Sequence, residues 1–131
     1  MASRLSALQP LTASKPFWGI AAATTATAGI WLGTGAPHGI LAYIGFAIMP
    51  DIALLAGIGP GLEKGQLHPR AVRLYNALHT LTLPVAIAIA TAAFGWSHAW
   101  FAAALGWTAH IAVDRALGYG KRASNGFQRG A

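Results

Sequence analysis

Ala99–Gly118 reads AWFAAALGWTAHIAVDRALG. A helix of about twenty apolar residues spans the ~30 Å hydrocarbon core of a bilayer. Yet this stretch carries His110, Asp114 and Arg115, and the whole chain has only three acidic residues. A charged side chain near the bilayer centre costs about 2.5–3.5 kcal/mol on insertion scales. Such groups therefore face partners inside the protein, and the segment predicts both a membrane helix and a polar site.

The rest of the chain agrees. Charged residues are 9% and hydrophobic residues 55% of the 131, against roughly 25% charged in an ordinary soluble domain. A domain this small needs polar faces to cover its surface, and most of its segments have none. Four apolar stretches of membrane-spanning length follow one another: 17–33, 37–59, 72–94 and 99–118. The expected fold is all-α, an integral membrane four-helix bundle of two antiparallel hairpins. It is preceded by an N-terminal segment, 1–16, and followed by a basic, Gly-rich, mobile tail, 119–131.

Lys and Arg set the orientation. Arg4 and Lys15 precede the first span; Lys64, Arg70 and Arg73 flank the second connection; Arg115, Lys121, Arg122 and Arg129 end the chain. The first and third connections have none, so the positive-inside rule places both termini in the cytoplasm. The sequence predicts a multi-pass protein of the cytoplasmic membrane. Its net charge of +6 then suits anionic lipid head groups, not nucleic acid. A membrane-protein partner or a second copy of the chain is the other expected contact. With no cysteine, disulfides and thiolate metal sites are excluded.

Polar residues from three spans reach a common depth. At about 1.5 Å per residue, Asp51, His79 and His110 lie roughly 10–12 Å from the cytoplasmic ends of their spans. Asn76 and Asp114 lie about 6 Å in. His110 and Asp114 share a face at i, i+4, and Tyr75, Asn76 and His79 are related by three and four. Pro50 and Pro84 interrupt the backbone beside this layer, freeing carbonyls that need other donors. Asp51, His79, His110 and Asp114 form a plausible ligand set for a divalent ion such as Zn, Mn or Fe. Tyr75, Asn76 and Tyr119 would support it, and Arg73 and Arg115 would hold an anionic group. Two other readings fit the same residues: a hydrogen-bonded layer that fixes helix packing in a structural subunit, and a proton or ion relay.

The motifs Pro-Asp-Ile at Pro50–Ile52, Tyr-Asn-Ala-Leu-His-Thr at Tyr75–Thr80 and His-Ile-Ala-Val-Asp-Arg-Ala-Leu-Gly-Tyr-Gly at His110–Gly120 resemble a family of small bacterial membrane proteins. That family is known as domain of unknown function 4260. The resemblance covers roughly Pro37 to Phe127. It implies a polar signature of Asp51, Asn76, His79, His110, Asp114, Arg115 and Tyr119, and no established reaction. The chain departs from the pattern after Gly120, where Lys121 and Arg122 follow. A looser likeness of layout to membrane-bound metal-dependent hydrolases suggests metal-assisted hydrolysis of a lipid-like substrate.

Overall fold

A computed structural model describes residues 14–129. The segment expected at 1–16 lies almost wholly outside the described residues, as do the last two residues of the tail. Among the described residues the chain is all-helical, as the sequence predicts, with no strand beyond an isolated bridge between Arg122 and Gln128. Six α-helices follow in order: α1 (Lys15–Thr34), α2 (Gly39–Ile48), α3 (Ile52–Ala56), α4 (Val72–Leu78), α5 (Thr82–Phe94) and α6 (His98–Leu117).

Two of the apolar stretches are broken helices. A 3₁₀ turn at Met49–Asp51 joins α2 to α3, and another at Pro69–Ala71 leads into α4. The first break centres on Pro50, which has no N–H to give the helical ladder. The second lies at 79–81, just before Pro84, which cannot donate to the carbonyl of Thr80. At this second break the indole Nε1–H of Trp107 donates to the Leu78 carbonyl at 2.7 Å, so that polar group is not left bare. Ser14 and Ser97 cap the starts of α1 and α6 by accepting from Phe17 N–H and Ala99 N–H. Gly95 and Gly118 end α5 and α6 in the left-handed region, at φ 64° and 90°.

The core is built around α6, which contacts α1, α2 and α5. Small residues make this possible. Ala102, Ala103, Gly106 and Ala112 are all buried, and a methyl group at Gly106 would collide with the carbonyl oxygen of Tyr43. The order of contacts gives direction. Tyr43 meets Gly106 and Ala47 meets His110, so α2 and α6 run the same way. Trp18 meets Arg115 and Gly29 meets Leu105, so α1 runs against α6.

Two helical stretches, Gly39–Ala56 and Pro69–Phe94, are long and apolar enough to cross a membrane. Only 17% of each apolar window is buried within the protein. Leu41, Ile48, Ile52, Leu55, Ile89 and Phe94 all face outward. The core helix of a soluble protein would hide most of such side chains.

Candidate metal centre

Four side chains from three parts of the chain meet beneath the helix breaks. Asp51 comes from the 3₁₀ turn after α2, His79 from the residue that ends α4, and His110 and Asp114 from adjacent turns of the unbroken α6. The breaks lift Asp51 and His79 out of regular helix, and α6 supplies a rigid edge opposite them.

Each carboxylate oxygen stands at a similar distance from both imidazole nitrogens. The Nε2 atoms of His79 and His110 are 3.3 Å apart. Asp51 Oδ1 lies 3.4 Å from His110 Nε2 and 3.6 Å from His79 Nε2. Asp114 Oδ2 lies 3.4 Å from His79 Nε2 and 3.5 Å from His110 Nε2. Ligand atoms of a tetrahedral zinc site, at about 2.0–2.1 Å from the metal, stand roughly 3.3–3.4 Å from one another. Asp51, His79 and His110 offer ligand atoms within 4.8 Å of each other and are close enough to hold a metal ion.

The protonation pattern follows from the other ring nitrogens. His79 Nδ1 is 2.8 Å from the carbonyl oxygen of Tyr75, and His110 Nδ1 is 2.8 Å from that of Ala47. A carbonyl only accepts, so each Nδ1 carries the proton and donates. The Nε2 atom of each ring then faces the centre. Two imidazole Nε2 atoms and two carboxylates meet there. A backbone carbonyl behind each imidazole is also the arrangement that orients histidine ligands in metal sites.

Burial is uneven around the cluster. The His79 side chain is 4% exposed, His110 12% and Asp114 23%, whereas Asp51 is 48% exposed. The open side of the cluster is therefore Asp51. The helical stretch there ends at Ala56, not at Gly59 as the apolar run suggests. Asp51 thus lies only about 8 Å from the end of its helix. Beside it a cavity of about 580 Å³ is lined by Gly45, Ile48, Met49, Ile52 and Leu55 as well as Asp51.

The supporting residues are distributed differently from the sequence expectation. Tyr75 is buried and stacks on the His79 ring, centroids 3.9 Å apart and planes 16° apart. Asn76 turns away from the cluster. Its amide accepts from Arg122 N–H at 2.7 Å and donates to the Arg122 carbonyl at 2.9 Å. The Arg115 guanidinium lies 4.4 Å over the Trp18 ring, against α1. Arg73 and Tyr119 are exposed. Arg122, which the sequence reading passed over, has its guanidinium 4.9 Å from the Tyr75 ring centre. Residues 119–129, read from sequence as mobile, are hydrogen-bonded to the loop before α4: Leu67 N–H donates to Gly126 and Gln66 to Asn125.

The family described as "Domain of unknown function (DUF4260)" matches residues 19–131. The chain belongs to this family. The match takes in all four donors, the helix breaks and the C-terminal segment, and so extends beyond the stretch that carried the resemblance. No curated protein and no solved structure matches the chain. For this DUF4260 protein, the chemistry must come from the site itself.

Proposed function

We propose that this DUF4260 protein is a multi-pass protein of the cytoplasmic membrane that binds one divalent metal ion between Asp51, His79, His110 and Asp114. The observation that carries this reading is the meeting of two imidazole Nε2 atoms and two carboxylates, each imidazole held from behind by a backbone carbonyl. Two ionised carboxylates leave the cluster with two negative charges, which one divalent cation neutralises. Protons serve less well. If both rings were protonated, two N–H groups would point at each other across 3.3 Å.

Membrane insertion is supported by the outward-facing apolar stretches and by the Lys/Arg bias of the connections. With α2 and α6 parallel and α1 opposed to α6, the start of α1, the end of α6 and the 57–68 connection share one side, which the Lys/Arg bias assigns to the cytoplasm in this reading. Arg73, Arg115 and the basic C-terminal segment then lie at the level of anionic head groups.

We further propose metal-assisted hydrolysis of a lipid-like substrate approaching from the cytoplasmic leaflet. A divalent ion supplies Lewis acidity toward a carbonyl or phosphoryl oxygen. Asp51, the exposed member of the four, stands where such a group would enter, and the adjoining cavity is apolar on every side but that one. The metal is tested by elemental analysis of purified protein. One equivalent is expected in the native chain and a strong loss in Asp51→Ala and His110→Ala. A native protein folded and metal-free after growth with Zn, Mn and Fe would refute it.

A second reading has its own observation. The His110 Nδ1–H bond to Ala47 ties α6 to α2 at the helix break, as a packing determinant of a non-catalytic subunit would. In that case Asp114→Asn is tolerated and the protein co-purifies with a membrane partner.

A further inference from the structure

The segment after α6 lies against the 57–68 connection and reaches, through Arg122, the ring that stacks on His79. Arg122 is its point of attachment. Its backbone is held on both sides by the Asn76 amide. One guanidinium nitrogen donates to the carbonyls of Gly65 and Gly126 at 2.9 and 2.8 Å. Its Nε is buried with no hydrogen-bond partner among the described residues. A buried polar nitrogen without a partner is costly, so hydrogen bonding alone does not explain this pose. What the pose gains is the face of Tyr75, 4.9 Å away, a contact favourable between a cation and an aromatic ring.

Tyr75 is in turn the wall of His79. The Nδ1–H bond to the Tyr75 carbonyl fixes the tautomer of His79 but leaves its ring free to tilt about that bond. The stacked Tyr75 ring, nearly parallel at 16°, removes the tilt. Tyr75 packs in a cluster with Ala53, Leu67 and Ala71, and Arg122 adds a charged contact to the same ring. We propose that Arg122 is a positioning residue of the metal centre, holding the His79 imidazole in line with the other donors through Tyr75. This inference rests on the metal-binding reading above. A ligand orientation fixed from behind typically governs about 10–100-fold in metal affinity.

The competing account is that Arg122 only fastens the C-terminal segment. Full-length protein in detergent, titrated with Co²⁺ against a chelator and followed by ligand-field absorption, separates the two. Arg122→Ala is expected to weaken Co²⁺ binding at least ~10-fold and to shift the absorption bands, with Arg122→Lys recovering most of both. The effect of Arg122→Ala should persist in Tyr75→Phe, which keeps the ring, and disappear in Tyr75→Leu, which does not. Native affinity and bands in Arg122→Ala would overturn the proposal. So would a loss that adds undiminished to Tyr75→Leu, or one that Asn76→Ala reproduces in full. If the native protein takes up no Co²⁺, the metal reading itself fails. The positioning role is then judged on metal-free protein by the ¹⁵N signals of the His79 ring, which must move in Arg122→Ala and would refute it by staying put.

Discussion

His79 and His110 point Nε2 at Nε2 across 3.3 Å, each ring held through Nδ1 by a backbone carbonyl, that of Tyr75 for His79 and that of Ala47 on α2 for His110. A metal ion bound there, as proposed above, would tie α4 to α6.

Stability should accordingly depend on metal. Anything that binds only the folded state stabilises it, by about 2.7 kcal/mol at a hundredfold excess over Kd. A strong chelator is expected to lower the Tm of the native protein in detergent, and re-addition of Zn²⁺ to restore it. His110→Ala should start from a lower Tm, because the Ala47 carbonyl loses its donor at a cost of about 1–3 kcal/mol. It should also be indifferent to chelator. A chelator effect of equal size in both proteins would place the metal elsewhere.

Metal affinity should fall with acidification. The Nε2 atoms must be unprotonated and the carboxylates ionised to act as ligands, so protons compete with the metal and binding releases them. Titration calorimetry at one pH in two buffers of different ionisation enthalpy should reveal proton release on binding, and equilibrium dialysis should show occupancy declining toward acid pH. Occupancy independent of pH would contradict imidazole ligation.

Much of this centre was legible in the sequence because hydrocarbon makes ionisable residues conspicuous. Asp51, His79, His110 and Asp114 stood out against apolar neighbours, and span direction alone put the first three in the same half of the layer. Proline marked both breaks, although the structure shows the second lying three to five residues before Pro84, over 79–81. Asn76 was assigned to the polar layer because it shares a helical face with His79. That helix ends at His79, and the side chain instead serves Arg122. The partner was unreadable: the C-terminal segment has no periodicity, and a pairing 46 residues distant leaves no local trace. Arg115 was read as an anion-binding residue from its place near the membrane surface; adjacent helix residues point about 100° apart, and its guanidinium lies over Trp18 on α1.

Two glycines offer a matched test of the packing. Gly106→Ala places a methyl against the Tyr43 carbonyl, which as backbone on α2 cannot swing aside. Overpacking of this kind costs about 1–3 kcal/mol. Gly45→Ala meets nothing within 4 Å and should be neutral or stabilising by about 0.5–1 kcal/mol, since glycine weakens a helix interior. Unfolding in mixed micelles should separate the two variants in that order. If they behave alike, α2 and α6 do not approach as described.

The absence of cysteine from the chain makes its membrane orientation directly testable. Single cysteines introduced as Lys64→Cys, Lys121→Cys and Gly35→Cys occupy exposed positions. The first two fall in the basic connection and the C-terminal segment, the third between α1 and α2. Positive residues are retained on the cytoplasmic side, so a membrane-impermeant maleimide added to intact cells with a permeable outer barrier should label only Gly35→Cys. Labelling of the other two should require disruption of the membrane. The reverse pattern would put Asp51 and its cavity on the outer face, and a lipid-like substrate would then have to come from the opposite leaflet. Equal labelling of all three in intact cells would mean that the apolar stretches do not span the bilayer, leaving their outward-facing side chains to be covered by protein.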